Sequence, residues 1–448
     1  MKRIKTFAPC LLSSLSFAGM AAEKPNVVVI IADDLATNEL GCYGGQNIAT
    51  PNIDRIAREG VRFTNNFASC AMSVPVRASL YTGLYPVRHG SFRNHKNSYP
   101  DIQSITTYLP AAGYRVGRTG KTHTQPRHVY EFEEAPGFEI NCVSPTANYT
   151  TDGIKEFITG SDQPYCLFVC STNPHAPWTV GDRSKIDADK LILPPNLFDN
   201  KETRLLYRDF LAEIGALDEQ VGAVLKMLEE TGRLDNTLVM FLGEQGPQFP
   251  FGKWTCYYFG QHSALVARYP KKIKAGTVTD AIVQYEDVTP TLLELAGGAP
   301  VDGLDGQSYL SALFGEKQEH RQWAYGIHNN IPEGTSYPIR SIQDKRYKLI
   351  INLTPEAVYY EKHMMNVNDK KRVWGSWVEN AKTDSVAKKI VDRFTSRPAI
   401  EFYDLAVDPW ELENLANDRQ YAERIARMEA ELKNWMTQQG DKGAELDK

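Results

Sequence analysis

The chain lacks most of the features that would assign it to a class at first sight. Its 448 residues carry 55 acidic and 50 basic side chains, and a net charge of −5 gives no general attraction to nucleic acid. The seven cysteines include no C-x-x-C pair and no paired His–Cys cluster, which excludes a zinc site of the usual spacing. Internal repeats and low-complexity tracts are also missing. These absences leave an ordinary globular protein as the expectation. Because the net charge is negative, a polyanionic ligand would need a local basic pocket.

Long apolar runs are equally scarce. The one at the N-terminus follows Lys2, Arg3 and Lys5, ends near Ala22 and is too short to span a bilayer. Basic residues, an apolar stretch and small residues at its end are typical of a signal peptide, which we assign to residues 1–22. The sequence therefore predicts an exported protein, periplasmic or secreted, with no membrane span and no assigned disulfide.

Apolar segments alternate with helical patterns along the first 320 residues. Residues 26–31 form a continuous β-branched run, typical of a strand buried on both faces, and residues 202–231 carry apolar side chains at helical spacing. This alternation predicts an α/β domain over residues 23–320, with a mixed, largely parallel sheet flanked by helices. A hairpin pattern around residue 344 and a terminal helix predict a smaller C-terminal α+β domain over residues 321–448.

Polar side chains follow several of these predicted strands. In largely parallel sheets, ligands bind beyond the carboxyl ends of the strands. The residues at those ends are Asp33 and Asp34, Lys121 and His123, His175, and Glu244 and Gln245.

One stretch, residues 73–83, predicts a loop that runs into a helix. Pro75 suits a helix start, and Gly83 can end the helix. Ser73 then lies beside the positive end of the helix dipole, where anions bind, and Arg77 adds a fork-shaped cation one turn further on.

The pattern S-x-P-x-R-x-x-L-x-T-G in this stretch resembles the signature of the type I sulfatases. The resemblance covers almost the whole mature chain and, within the family, is greatest to the heparan sulfamidases. It implies the alkaline-phosphatase/sulfatase-like fold. It also implies that a serine-type maturase oxidises Ser73 to formylglycine, the aldehyde on which the family's chemistry depends.

The resemblance implies a calcium ion beside residue 73. Carboxylate and amide oxygens are the ligands that hard cations prefer. The implied ligands are Asp33, Asp34, Ser73, Glu244 and Gln245. Glu244 and Gln245 depart from the family's Asp-Asn or Asp-His pair by one methylene each.

Positively charged residues and histidines match further family positions. The resemblance implies that Arg77 and Lys121 hold the nucleophile and the sulfate group. It implies that His175 protonates the leaving group with help from Lys253, and that His123 serves the elimination step. The predicted contacts to the sugar are His95, His328 and Arg340.

The leading hypothesis is a sulfatase that releases O-sulfate or N-sulfate from a sulfated saccharide. Two alternatives stay open. The first is a phosphonate or phosphodiester hydrolase, which would share the fold and the formylglycine. The second is a non-catalytic binder of sulfated glycans, in which Ser73 stays unmodified.

Overall fold

The computed structural model describes residues 24–448, so the predicted signal peptide lies outside the described residues. The strands are β1 (Asn26–Ile31), β2 (Val61–Phe67), β3 (Arg115–Gly120), β4 (Glu133–Glu134), β5 (Tyr165–Cys170), β6 (Thr237–Leu242), β7 (His262–Arg268), β8 (Thr277–Gln284), β9 (Ala324–His328), β10 (Ile339–Gln343), β11 (Tyr347–Asn352) and β12 (Ile400–Asp404). The helices are α1 (Pro51–Arg58), α2 (Ser73–Thr82), α3 (Pro86–His89), α4 (Ile105–Ala111), α5 (Asp152–Thr159), α6 (Lys201–Glu230), α7 (Tyr258–Gln261), α8 (Val288–Leu295), α9 (Leu310–Leu313), α10 (Trp374–Asn380), α11 (Ser385–Thr395) and α12 (Ala422–Gln439).

The larger sheet has eight strands in the order β4-β3-β5-β1-β6-β7-β2-β8. Strand β1 lies between β5 and β6 and pairs in parallel with both, with Val28 opposite Leu167 on one side and Val239 on the other. Strand β7 runs antiparallel to both of its neighbours, which makes the sheet mixed. The predicted α/β class with a largely parallel sheet is confirmed.

The alternation of side chains along β1 explains how the sheet divides the core. Val28 and Ile30 pack into one apolar cluster with residues of α6, among them Leu217. Val27 packs on the opposite face, in a second cluster with residues of α2 and α8 that include Leu80. Every residue of β1 is buried, as expected for a strand covered on both faces.

The smaller sheet is antiparallel, in the order β12-β11-β10-β9. The predicted hairpin is confirmed, because Gln343 of β10 lies opposite Lys348 of β11. Helix α12 covers this sheet, and its Leu432 belongs to the same apolar cluster as Ile342 and α6. The C-terminal unit thus packs on the face of the large sheet that α6 also covers.

Two further features concern the described residues as a whole. Between residues 24 and 448, no helix combines the length and the apolar character needed to cross a bilayer. The six cysteines in this part of the chain, Cys42, Cys70, Cys142, Cys166, Cys170 and Cys256, are all free thiols.

Candidate active site

The parallel strands bring the predicted polar residues to one edge of the sheet. Strands β3, β5, β1 and β6 lie side by side and run in the same direction, so their carboxyl ends meet at that edge. Lys121 directly follows β3, and His175 lies in the loop after β5. Asp33 and Glu244 each follow their strand by two residues. The structure brings these side chains together although more than 200 positions separate the first from the last.

Ser73 is the first residue of α2, a helix whose residues are all buried. Gly83 ends this helix at a φ of 72°, as its position in the sequence predicts. The Ser73 hydroxyl donates to Glu244 Oε2 over 2.8 Å and accepts from Lys121 Nζ over 3.1 Å. Asp33 Oδ1 lies 3.4 Å from the same oxygen. Ser73 therefore occupies the point where an acidic and a basic side chain meet at the positive end of a buried helix.

Three buried ion pairs surround this serine. Asp33 pairs with Lys121 over 2.6 Å, Asp34 with Lys253 over 2.8 Å, and Glu244 with Arg77 over 2.5 Å. The side chains involved are at most 3% exposed, so each charge depends on its partner. Burial lowers the pKa of Lys121, but the carboxylates of Asp33 and Glu244 outweigh this and leave it raised. The cluster is neutral, so a divalent cation and a dianion could enter it together without upsetting the balance.

The donor set fits a hard cation. Oxygens of Asp33, Asp34 and Glu244 lie within 4.8 Å of one another. Gln245 donates through Nε2 to Asp34 Oδ1 over 2.5 Å, and its Oε1 is buried with no hydrogen-bond partner among the described residues. A buried acceptor without a donor is costly unless a ligand completes it. Glu244 and Gln245 are each one methylene longer than the residues of the family pattern, but their side chains still reach Asp33 and Asp34.

A cavity of about 200 Å³ opens above Ser73. Its lining includes histidines, a lysine and an arginine, but none of the described residues that line it is aspartate or glutamate. The residues are Ser73, Asn94, His95, His123, Cys142, Val143, His175, Ala176, Pro177, Gln248, Lys253, Trp254, His363 and Arg372. The cavity is therefore suited to an anionic ligand.

Two histidines of the cavity are held neutral. Nδ1 of His175 lies 2.6 Å from the carbonyl oxygen of Ala176. Because a carbonyl can only accept, Nδ1 carries the proton, and the unprotonated Nε2 lies 3.7 Å from Asp34. Burial, assisted by Lys253, lowers the pKa of His175 to about 3. Burial and the charge of Lys121 lower the pKa of His123 to about 2.

Strained backbone concentrates around the same cavity. Asp34, His95 and His123 adopt φ values of 61°, 59° and 48°, in the left-handed region that residues other than glycine seldom occupy. Gly246, directly after Gln245, has a different constraint, because a Cβ there would lie 1.9 Å from the Phe259 carbonyl oxygen. Strain of this kind persists where the surrounding structure fixes a functional geometry.

Two of the three predicted sugar contacts do not reach the cavity, and this prediction is corrected. Arg340 is fully buried in the C-terminal unit and pairs with Asp441 over 2.5 Å. His328 is also fully buried, and its Nε2 lies 3.2 Å from Asn330. Both side chains are enclosed by the protein and have polar partners there, Asp441 for Arg340 and Asn330 for Nε2 of His328, so they have a structural role. His95 does line the cavity, where its ring centre lies 5.5 Å from that of His123.

Sequence reasoning missed several residues of the cavity wall. Asn94, Gln248, His363 and Arg372 all line it. None belongs to a recognisable motif, and Arg372 ends a charged run that resembles a solvated surface. A sequence signal was available only for Asn94, which lies next to the predicted His95.

Chemistry in such a cavity must stabilise negative charge on an anionic group. Fixed ammonium and guanidinium groups beside a hard-cation site do so for sulfate and phosphate esters. The fold and the site thus define a hydrolase of anionic esters.

The chain belongs to the sulfatase family. The family model described as Sulfatase matches residues 25–299, and the one described as N-sulphoglucosamine sulphohydrolase, C-terminal, matches residues 246–397. The protein is therefore a sulfuric ester hydrolase, and the resemblance to the type I sulfatases is confirmed.

Two curated relatives extend this match along the chain. An ulvan-active sulfatase of Formosa agariphila is 33% identical over 439 residues, covering 96% of this chain and 83% of the relative. The human N-sulphoglucosamine sulphohydrolase is 28% identical over 489 residues, covering 97% of this chain and 94% of the relative.

Solved structures share the fold. A protein in complex with its substrate D-glucosamine-2-N,6-O-disulfate superposes with a TM-score of 0.73 at 24% identity, covering 94% of this chain and 99% of the other. A phosphonate monoester hydrolase of Agrobacterium radiobacter gives 0.71 at 21% identity, covering 93% and 96%. At these identities the likeness establishes the fold alone.

Proposed function

We propose that this sulfatase releases sulfate from a sulfated saccharide, as an O-sulfate ester or an N-sulfate, and that it does so with Ser73 oxidised to formylglycine. The observation that carries the proposal is the position of the Ser73 hydroxyl, 3.1 Å from Lys121 and 2.8 Å from Glu244. The named substrates of the relatives support a saccharide: ulvan, N-sulphoglucosamine and a glucosamine disulfate. The predicted signal peptide assigns this activity to the periplasm or the medium.

Calcium is the proposed metal. The carboxylates of Asp33, Asp34 and Glu244, the Gln245 amide oxygen and residue 73 would hold it, in keeping with the oxygen donors that calcium takes. When bound, the ion supplies positive charge that stabilises the sulfuryl oxygens.

Ser73 as a plain serine is poorly equipped for catalysis. A serine nucleophile needs a neighbouring base, and no histidine of residues 24–448 makes a hydrogen bond to Ser73 Oγ. Its acidic neighbour Glu244 is already bound to Arg77. Formylglycine at residue 73 would remove this difficulty, because its hydrate would supply one hydroxyl as a nucleophile towards sulfur and a second through which sulfate could later be released. Conversion of Ser73 by a serine-type maturase is therefore part of the proposal.

The remaining side chains of the site are proposed to act at two places. Some contact residue 73 and the sulfate group, and others lie on the side of the leaving group. Lys121 donates to the oxygen of residue 73 and orients it. The Nη1 and Nη2 groups of Arg77 are buried with no hydrogen-bond partner among the described residues, so they keep free donors for an anion. His175 and Lys253 line the cavity on the side of Asp34 and are proposed to serve the leaving group. His123 is proposed to assist the elimination of sulfate.

A phosphonate or phosphodiester hydrolase is the second candidate. The structural likeness to the phosphonate monoester hydrolase favours it, since the same fold with a cavity suited to anions would serve both reactions. The third candidate, a non-catalytic binder, requires that Ser73 stay unmodified.

The test is to produce the protein together with a serine-type maturase and to analyse the peptide across residues 71–77 by mass spectrometry. We expect the loss of two hydrogens at Ser73. The same preparation is then assayed for sulfate release from N-, 2-O-, 6-O- and galactose-sulfated saccharides. Ser73→Ala should release none, while the exposed Ser184→Ala should match the wild type. Activity on aryl phosphodiesters without any sulfate release would overturn the proposal.

A further inference from the structure

The wall of the cavity above Ser73 includes a cation that the reaction does not use. Arg372 comes from the segment between β11 and α10, in the C-terminal third of the chain. Its side chain is only 13% exposed and lines the same cavity as Ser73 and Lys253. A guanidinium removed from water to this extent normally has a close partner of opposite charge.

The one carboxylate paired with Arg372 among the described residues, that of Asp369, lies at the outer limit of an ion pair. Its Nε donates to the carbonyl oxygen of His363 over 2.9 Å and its Nη1 to that of Lys371 over 3.2 Å. The carboxylate of Asp369 is 3.9 Å from Nε, beyond hydrogen-bond distance. The side-chain hydrogen bonds of Arg372 within residues 24–448 involve Nε and Nη1 and leave Nη2 without a partner. One end of the planar fork is therefore left for a ligand.

His363, whose backbone carbonyl binds Arg372, is itself held in place by its side chain. His363, whose carbonyl oxygen accepts from Arg372, also lies 2.5 Å through Nε2 from Glu333 and stacks on Trp254 at a ring separation of 5.9 Å. Asn94, from the N-terminal half of the chain, donates to the same Glu333 over 2.9 Å. Arg372 thus binds the carbonyl of a residue that is itself anchored to other parts of the chain, and such support is what a recognition residue requires.

The acids beneath the cavity are already paired, which leaves Arg372 available for a second anion. The three acids beneath the cavity are each matched by a lysine or arginine. A scissile sulfate ester carries one negative charge and the proposed metal two positive ones, so together they supply no negative charge to offset Arg372. Burial lowers the pKa of Arg372, against the opposing charges of Asp369, Glu361 and Asp34.

We propose that Arg372 binds a second anionic group of the substrate, a carboxylate or a further sulfate, on the sulfated sugar or on the sugar linked to it. The inference rests on the proposed saccharide sulfatase function and specifies its substrate class. The cavity volume of about 200 Å³ is below the roughly 300–1,000 Å³ of pockets that enclose drug-sized ligands, so it holds about one sugar unit. An adjoining cavity of about 230 Å³ shares His95 and His123 with it and gives room for a linked sugar. Guanidinium recognises both anions through paired hydrogen bonds.

The test compares Arg372→Ala and Arg372→Lys with Lys371→Ala, which removes the neighbouring exposed cation. Each is assayed on a monosulfated sugar with no other anion, on the same sugar with a second sulfate, and on one linked to a uronic acid. We expect Arg372→Ala to lower kcat/KM by about ten- to a hundredfold on the substrates with two anions, mainly through KM, and by less than about twofold on the monosulfated one. Arg372→Lys should recover part of the loss, and Lys371→Ala should lose nothing. A larger loss on the sulfate or on the carboxylate substrate identifies which anion binds.

An equal loss on all three substrates, or none on any, would overturn the inference. Binding measurements distinguish a failure of the Arg372 inference from a failure of the proposed sulfatase reaction. In the Ser73→Ala background, calorimetry should give tighter binding of the disulfated than of the monosulfated sugar, and Arg372→Ala should remove that difference. If the wild type binds in this way but releases no sulfate, the saccharide site stands and the proposed turnover does not. Equal affinity for both sugars contradicts the role of Arg372 even if turnover is observed.

Discussion

Glu244 Oε2 accepts a hydrogen bond from the Ser73 hydroxyl over 2.8 Å. The two residues are 171 positions apart in the chain and meet because α2 begins close to the carboxyl end of β6. The other oxygen of the same carboxylate holds Arg77 Nε at 2.5 Å. Glu244 thus links the residue proposed to react with the arginine one turn further along its helix.

Removal of the Glu244 carboxylate should destabilise the protein strongly. Glu244→Ala leaves the guanidinium of Arg77 buried and unpaired, a situation that costs about 3–5 kcal/mol. Urea unfolding of the two proteins measures this difference. Asp392→Ala, which breaks an exposed pair with Lys388, is the control and should change the free energy of unfolding by less than about 1 kcal/mol. A loss of similar size in both variants would contradict the account of the buried pair.

Calcium should raise the thermal stability of the protein. An ion present at a hundred times its dissociation constant contributes about 2.7 kcal/mol if it binds the folded state alone. We expect a chelator to lower Tm and calcium to restore it. In Asp34→Asn this response should be absent and turnover abolished, whereas the exposed Asp187→Asn should behave as the wild type. A full calcium response in Asp34→Asn would remove Asp34 from the metal site.

The sequence was sufficient for the parts of the site that local patterns determine. The apolar run of β1 predicts a buried strand, and parallel pairing then dictates that residues after β1, β3, β5 and β6 share one edge. The Pro75 and Gly83 signals in the same way predict the helix that begins at Ser73.

The parts of the site that local sequence patterns do not predict depend on tertiary packing. Arg340 looks like a free cation in the sequence, but its partner Asp441 is 101 positions away and no local pattern predicts that the two meet. Arg372 is the reverse case, since its charged neighbourhood suggests a solvated surface, yet it lines the cavity together with Trp254 and His363. The role of a polar side chain here depends on which distant element covers it.

Arg340 should matter for stability and not for substrate affinity. Arg340→Ala leaves Asp441 buried and unpaired, so we expect a loss of about 3–5 kcal/mol in the free energy of unfolding. Below the unfolding temperature, KM for a sulfated saccharide should equal that of the wild type. A rise in KM together with unchanged stability would restore Arg340 as a sugar contact.

Glu333 should make stability depend on pH in the acid range. Burial raises its pKa, but the hydrogen bonds from His363 and Asn94 outweigh burial and lower it from 4.5 to about 2. A carboxyl with a lowered pKa in the folded state stabilises the protein above pH 4.5, and this contribution disappears as the pH falls from 4.5 towards 2.

The comparison of wild type with Glu333→Gln isolates this effect. The wild type should be the more stable of the two at pH 5–7, and the difference in the free energy of unfolding should shrink as the pH falls from 4.5 towards 2. Urea titrations at a series of pH values measure it. A difference that stays constant over this range would show that the Glu333 charge contributes nothing.

The central claim is that an oxidised residue 73 carries out sulfate release in this pocket. Its most direct measurement is the rate of sulfate release in preparations that contain different amounts of the maturase, plotted against the fraction of the 71–77 peptide that has lost two hydrogens. We predict a straight line through the origin, with calcium present throughout. Undiminished turnover in a preparation whose Ser73 is entirely unmodified would contradict the account.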